Sequence, residues 1–287
     1  MNSAPRPHYI VEQQSQPVGL EAVTRSAWHW LFDRPLVRQL GVVILLCLLW
    51  EVTARQANAP LLLPTLGDTL VALRDAMVAP QGDLLAHLWE SLRALCTGFA
   101  VGSVIATLLV ILAINLRFGE TLLGTITSGF APLPAVAIFP LALMWFGISW
   151  SSIVFITSWA TLFPVAVAMF QGFRSVPDTL RQVGLNIGLH GLGYTLRILV
   201  PASLPSIMTG IRGGVANAFR ALIAIEMVLG AVSGNGGLGW FVMTAKQNLE
   251  MPTVYAGILA IMLIGLLFEG LFSILEQCTI RRWGMVH

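Results

Sequence analysis

Two charges stand alone in a long apolar run, Arg220 and Glu226, within Asn217-Ala218-Phe219-Arg220-Ala221-Leu222-Ile223-Ala224-Ile225-Glu226. A charge at mid-membrane costs at least about 2.5–3.5 kcal/mol, so each must face a cavity or a partner helix. On one helix, six residues rotate the pair by about 240° and separate it by about 9 Å, so the two do not pair directly. An uncompensated guanidinium in such a place attracts anions, which is the chemistry Arg220 offers. Pairing with an acid on another helix, or reach to the interface, is the plainer alternative. Glu269, in a later apolar run, reads as interfacial or paired. Other chemistries lack their residues. His8, His29, His87, His190 and His287 fall outside the apolar runs, so neither a Ser–His hydrolase nor a metal site is expected among them. No Gly-x-x-x-x-Gly-Lys-Ser/Thr occurs, and the lone lysine lies in Thr244-Ala245-Lys246; ATP hydrolysis by that route is not expected of this chain. Cys47, Cys96 and Cys278 are too scattered for a disulfide or cluster and read as buried packing.

The elements that hold these residues follow from composition. Of 287 residues 56% are hydrophobic and 10% charged, with a mean hydropathy of +0.79. A soluble domain needs about a quarter charged residues to cover its surface, so the solvent here is lipid. The net charge is +2 and the arginines are spread along the chain, which argues against a nucleic-acid partner. Apolar stretches place spans near 36–53, 94–116, 204–232 and 251–275, of which 94–116 carries no charge at all. A further 53 residues between Glu120 and Arg174 carry no charge. As one helix they would measure about 80 Å, far beyond a hydrocarbon core of about 30 Å, so they must hold two crossings. Gly147-Ile148-Ser149 is the natural bend, after Trp145-Phe146 at an interface, and Pro132, Pro134 and Pro140 predict a kinked or broken helix before it. The expected fold is an all-α membrane protein of about six transmembrane helices.

Outside the spans, residues 1–22 read as a disordered tail with no signal-peptide core, so the first span is expected to direct insertion. Trp28, Trp30, Leu31 and Phe32 among Arg25, Asp33 and Arg34 suit an interfacial helix over 23–35. The transmembrane domain then covers 36–280, interrupted by an excursion at 55–87 with an amphipathic helix near 65–78, and 281–287 forms a tail. The glycine-rich stretch 233–240 reads as too flexible to continue a helix. Gly98-x-x-x-Gly102 and Gly210-x-x-x-Gly214 permit close helix contact; the first is expected inside the subunit, the second is a candidate for a dimer axis. Six spans put both termini on one side, with Arg6, Arg25, Arg34, Arg38, Arg117, Arg174, Arg181, Arg197, Arg281 and Arg282; the other side holds Arg55, Arg74 and Lys246. The positive-inside rule makes the richer side cytoplasmic.

The 172–203 segment carries the sharpest pattern: Gln182-Val183-Gly184, three residues, Gly188, nine residues, then Ile198-Leu199-Val200-Pro201. It resembles the cytoplasmic loop of binding-protein-dependent ABC importer permeases, which reads Glu-Ala-Ala, three residues, Gly, nine residues, Ile-x-Leu-Pro. Pro132-Leu133-Pro134, Pro140-Leu141, Trp145-Phe146-Gly147-Ile148, Gly237-Leu238-Gly239-Trp240, Glu226 and Arg281-Arg282-Trp283 resemble the nitrate, sulfonate and taurine branch. The resemblance covers roughly 36–283 and does not extend to Arg220. It implies a type I ABC importer permease-like fold in a bacterial inner membrane, paired as a homodimer. It also implies two ATP-binding cassette subunits carrying ATP and Mg²⁺, a periplasmic binding protein, and no cofactor on this chain. Gln182, Val183, Gly184, Gly188, Ile198 and Pro201 would couple to the ATPase. Pro132, Pro134, Pro140, Trp145, Phe219, Arg220 and Glu226 would line or gate the path of a small anion such as a sulfonate, taurine, nitrate or an aromatic carboxylate, with a pyrimidine-like vitamin precursor as the alternative solute. The chain departs from the pattern at Gln182, which offers a neutral hydrogen bond where the family has a charge. Four glycines, Gly184, Gly188, Gly191 and Gly193, are also expected to loosen the loop. A secondary transporter or channel is the competing class, although neither inverted repeats nor paired intramembrane charges are visible.

Overall fold

A computed structural model describes residues 35–78, 82–230 and 236–279. The expected tail 1–22, nearly all of the interfacial helix 23–35, and 281–287 with Arg281-Arg282-Trp283 lie outside the described residues. Two compact units divide at Trp50 and Glu51, inside helix α1 (Pro35–Ala57). The second unit contains α2 (Leu66–Val78), α3 (Leu84–Asn115), α4 (Gly119–Phe130), a 3₁₀ turn (Ala135–Ile138), α5 (Phe139–Phe146), α6 (Trp150–Arg174) and α7 (Asp178–Asn186). Short helical turns over Gly191–Tyr194, Thr195–Leu199 and Val200–Ala202 then lead into α8 (Leu204–Leu229), α9 (Leu238–Gln247) and α10 (Met251–Thr279). Every regular element among the described residues is helical, as lipid demands of a chain that must satisfy its own backbone.

Among the described residues four helices are long and apolar enough to cross a membrane: Val37–Ala57, Leu84–Asn115, Trp150–Arg174 and Met251–Cys278. Two bent pairs raise the number to six, Gly119–Phe130 with Ala135–Phe146 at 88°, and Gly191–Ala202 with Leu204–Leu229 at 79°. The first bend falls on Ala131–Pro134, where Pro132 and Pro134 remove the donors a continuous helix needs. Helix α3 starts at Leu84 rather than near 94, so His87, Glu90 and Arg93 are helical. Charge marks where hydrocarbon ends, not where a helix ends, and a helix can run on through the interface.

Helix α6 is the hub. Its small and hydroxyl residues let α3 and α8 both close on it, at successive heights and with Thr161 touching both. From α3, Cβ atoms at Gly98 and Gly102 would meet Thr157, Ser158 and Thr161, and Ser158 Oγ donates to the Gly98 carbonyl at 3.0 Å. From α8, Gly210 and Gly214 abut Pro164, Val165, Ala168 and Thr161. The Gly210-x-x-x-Gly214 stripe is therefore occupied inside the subunit and does not form the dimer axis suggested for it. Small residues serve any close helix pair, and α6 supplies the nearer partner. Thr157 and Thr161 are buried, and their hydroxyls donate to carbonyls one turn back.

Cys96 and Cys278 are exposed rather than buried, because an apolar run in a span packs on one face only. Helix α9 begins at Leu238, inside the stretch read as a loop, since neighbouring helices satisfy its first N–H groups.

Candidate functional site

The 182–201 motif folds into a foot built on hydrogen bonds that the sequence spacing permits. Helix α7 runs through Gly184 and ends in a Schellman turn: Leu189 N–H donates to Gly184 O at 3.1 Å and Gly188 N–H to Leu185 O at 3.0 Å. Gly188 has φ +78, the left-handed conformation that this turn requires and that glycine adopts without cost. Gly184 is buried, and a Cβ there would lie 2.9 Å from Ile198 and 3.0 Å from Tyr194. The glycine expected to loosen the helix instead admits the passage towards α8 against it. Arg181 reaches back to α6, donating to Phe173 O at 2.6 Å and Val176 O at 3.0 Å, so a cation closes the negative end of the hub helix. The outer surface of the foot is mixed: Val183, Leu185, Ile187, Leu192 and Leu196 are all about half exposed or more, beside exposed Asp178, Asn186 and Arg197. Gln182 and Pro201 are also exposed.

The residues expected along a path divide. Pro132, Pro134 and Arg220 line one cavity of about 320 Å³, together with Trp159, Phe163 and Asn217. Arg220 Nε donates to Ala216 O at 3.1 Å and Nη2 to Asn217 Oδ1 at 2.6 Å. Phe219 turns the other way into the core, edge-on to Phe268 at 5.7 Å. Trp145 is exposed at the end of α5 against Phe146 and Phe155, and Pro140 is exposed in the first turn of α5. Neither belongs to the cavity.

Glu226 is buried and forms a structural clamp. Ser91 Oγ donates to its carboxylate at 2.8 Å, and Gly239 N–H donates to Oε2 at 3.0 Å. Leu238 N–H in turn donates to Ser91 Oγ at 2.8 Å. The first N–H groups of α9 are thus capped from α3 and α8, since Gly237 at the N-cap has no side chain of its own. Gly237 cannot carry one: a Cβ would collide with the Glu226 carboxylate. Arg212 is held by Glu269 and Glu276 of α10, so Glu269 is paired. Among the described residues no group of three or more His, Cys, Asp or Glu could hold a metal. Sequence reasoning missed Asn217, Trp159 and Ser91. Asn217, one turn before Arg220 on the same face, was the one signal available.

Four to six candidate spans among the described residues, a helical foot and a cavity lined by a cation are the build of a membrane transport subunit. Residues 98–281 match the family described as binding-protein-dependent transport system inner membrane component, and the chain belongs to that family. It is similar to an ABC transporter permease protein of Methanocaldococcus jannaschii, 31% identical over 238 residues, 82% of this chain and 88% of that one. The taurine transport system permease protein of Escherichia coli is 29% identical over 262 residues, 89% and 93% of the two chains. The aliphatic sulfonates transport permease protein of the same organism is 30% identical over 267 residues, 92% and 89%. The chain is the permease subunit of an ATP-driven, binding-protein-dependent importer of the sulfonate and taurine branch. Its relatives are transporters rather than enzymes.

Proposed function

We propose that this permease works as a homodimer that imports a small organic anion, a sulfonate such as taurine foremost, driven by two ATPase subunits docked on α7. In this reading both termini and the foot are cytoplasmic, and the tails 1–22 and 281–287 flank a transmembrane domain over 36–280. A periplasmic binding protein delivers the solute on the opposite face. This chain binds no cofactor, ATP and Mg²⁺ being held by the partners. Gln182, Val183, Gly188 and Pro201 lie on or beside the docking surface, while Gly184 and Ile198 transmit its motion.

The observation that carries this is the foot: a nine-residue helix that exposes Val183 and Leu185 among polar side chains, fastened at both ends. Arg181 ties it to the end of α6, and Gly184 seats it against Tyr194 and Ile198 on the way to α8. A push on α7 therefore arrives at both helices of the hub contact as rigid-body motion. The neutral Gln182 leaves apolar contact through Val183 and Leu185, rather than an ion pair, at its own position.

The test is reconstitution of the chain in liposomes with its ATPase and binding protein, followed by uptake of labelled taurine. Uptake that needs ATP hydrolysis, with Asn186→Cys labelled only by reagent on the ATPase side, supports the reading. Uptake indifferent to ATP, or labelling of Asn186→Cys only from the binding-protein side, overturns it in favour of a secondary transporter or channel.

A further inference from the structure

The cavity at Arg220 is built from parts that have no other evident task. Arg220 is the seventeenth residue of the 26-residue α8, well inside the span. Among the described residues it has no carboxylate partner, whereas Arg212 on the same helix has two. Its Nε and Nη2 bond only to its own helix, at Ala216 and Asn217. The Asn217 oxygen is held by that contact, which leaves its amide nitrogen as a second donor. Beside them, Trp159 lines the cavity with its indole Nε1 buried and without a partner, although buried indoles ordinarily find one. The remaining wall is apolar and aromatic: Trp159 and Phe163 meet edge to face at 5.0 Å, and Phe130 closes on both.

The cavity also leads somewhere. A second cavity of about 320 Å³ shares Ala131, Phe163 and Pro164 with the first and adds Gln171 and Thr209. Thr209, Ala216 and Arg220 are exposed on one face of α8, spanning about 16 Å of helix at 1.5 Å per residue. The groove therefore runs from the guanidinium past hydroxyl and amide groups towards the end of α6 that carries the foot.

We propose that Arg220, Asn217 and Trp159 form an intramembrane binding site for an organic oxoanion, its charged head on Arg220 and Asn217 and its apolar body on Trp159 and Phe163. A planar guanidinium matches two oxygens of a sulfonate or carboxylate. The aromatic wall selects against bare inorganic anions, which fill little of the 320 Å³ and leave Trp159 and Phe163 without a partner surface. The proposal rests on the importer reading for its direction, but not for its existence: the site must bind in the permease alone.

The experiment measures equilibrium binding of benzenesulfonate, ethanesulfonate and nitrate to the full chain in lipid nanodiscs, with taurine uptake by the reconstituted complex measured alongside. Benzenesulfonate should bind at least about tenfold more tightly than nitrate. Arg220→Gln should weaken it about 10- to 100-fold, the range for losing hydrogen bonds to a charged group. Arg220→Lys should recover part of the loss, and Trp159→Phe, which keeps an aromatic ring and removes the N–H, should cost about three- to tenfold. Should Arg220→Gln misfold, Trp159→Phe and the benzenesulfonate-to-nitrate ratio decide. Equal binding of all three anions, or unchanged benzenesulfonate affinity in Arg220→Gln or Trp159→Phe, overturns the site while ATP-driven uptake leaves the importer reading standing. Loss of ATP dependence with binding intact overturns the importer reading and leaves the site.

Discussion

Replacing Glu226 by alanine should release the start of α9 without unfolding the bundle. The carboxylate accepts from Gly239 N–H and from Ser91 Oγ, and Ser91 accepts from Leu238 N–H. Removing it strands one buried backbone donor and one buried hydroxyl. Each stranded donor costs roughly 1–3 kcal/mol, and loss of a cap alone costs about 1 kcal/mol. The sum for the start of α9 is about 3 kcal/mol, which at about 1.4 kcal/mol per factor of ten is about 10²-fold. Hydrogen–deuterium exchange of the chain in nanodiscs reads this directly, because exchange there proceeds through local opening. Peptides covering 236–247 should exchange about 100-fold faster in Glu226→Ala, while peptides from the centre of α6 stay unchanged. Ser91→Ala, which leaves Leu238 N–H without its acceptor, should give about tenfold. Combined with Glu226→Ala it should add less than the separate effects imply, since the two share one network. Glu226→Gln keeps an acceptor for Gly239 and should fall below both. If exchange over 236–247 in Glu226→Ala stays within about twofold of the parent, the clamp does not hold α9 as argued.

Three further substitutions separate the parts, with a fourth as control. Gly188→Val forces a β-branched residue into φ +78 at about 1–2 kcal/mol, so the foot should fray and solute moved per ATP should drop while the spans keep their thermal stability. Arg181→Met removes the bonds to Phe173 and Val176 carbonyls; we expect an intact fold but weaker stimulation of the ATPase by loaded binding protein. Gly98→Val drives a side chain into Thr157 and should cut the melting temperature and yield in detergent. Gly124→Ala, on α4 with nothing within 4 Å, should be neutral or stabilising by roughly 0.5–1 kcal/mol in the same melting assay.

The order of most spans could be read from charge, because lipid penalises charge more than any other feature, while the helix holding Arg212, Arg220 and Glu226 showed only in its apolar residues. Element edges could not. Helix α3 extends ten residues upstream of its uncharged run, carrying Glu90 and Arg93 with it, and α9 starts among glycines. In both places neighbours supply what local sequence lacks: Trp150 lies under the Arg93 guanidinium at 5.1 Å, and Ser91 with Glu226 caps α9. The foot was legible as spacing, and its Gly188 turn as chemistry. Gly184 was not, because propensity counts a glycine as a weak point and cannot know that Tyr194 and Ile198 close over it.

Arg220 and Glu226 show why sequence stops short of the site. Both are charges in the membrane-buried stretch of one helix, and the cost of burial obliges each to meet a polar partner without saying which. A carboxylate only accepts, and the unpaired N–H groups at the start of α9 are ready-made donors, so Glu226 is absorbed into the architecture. A guanidinium only donates. The carbonyls within its reach are mostly committed to their own helices, and the acids of α10 are taken by Arg212. Arg220 is thus left facing the one place where prolines have broken the wall. The same penalty that makes one charge a fastening leaves the other available, and an acceptor that completes it has to come from the solute.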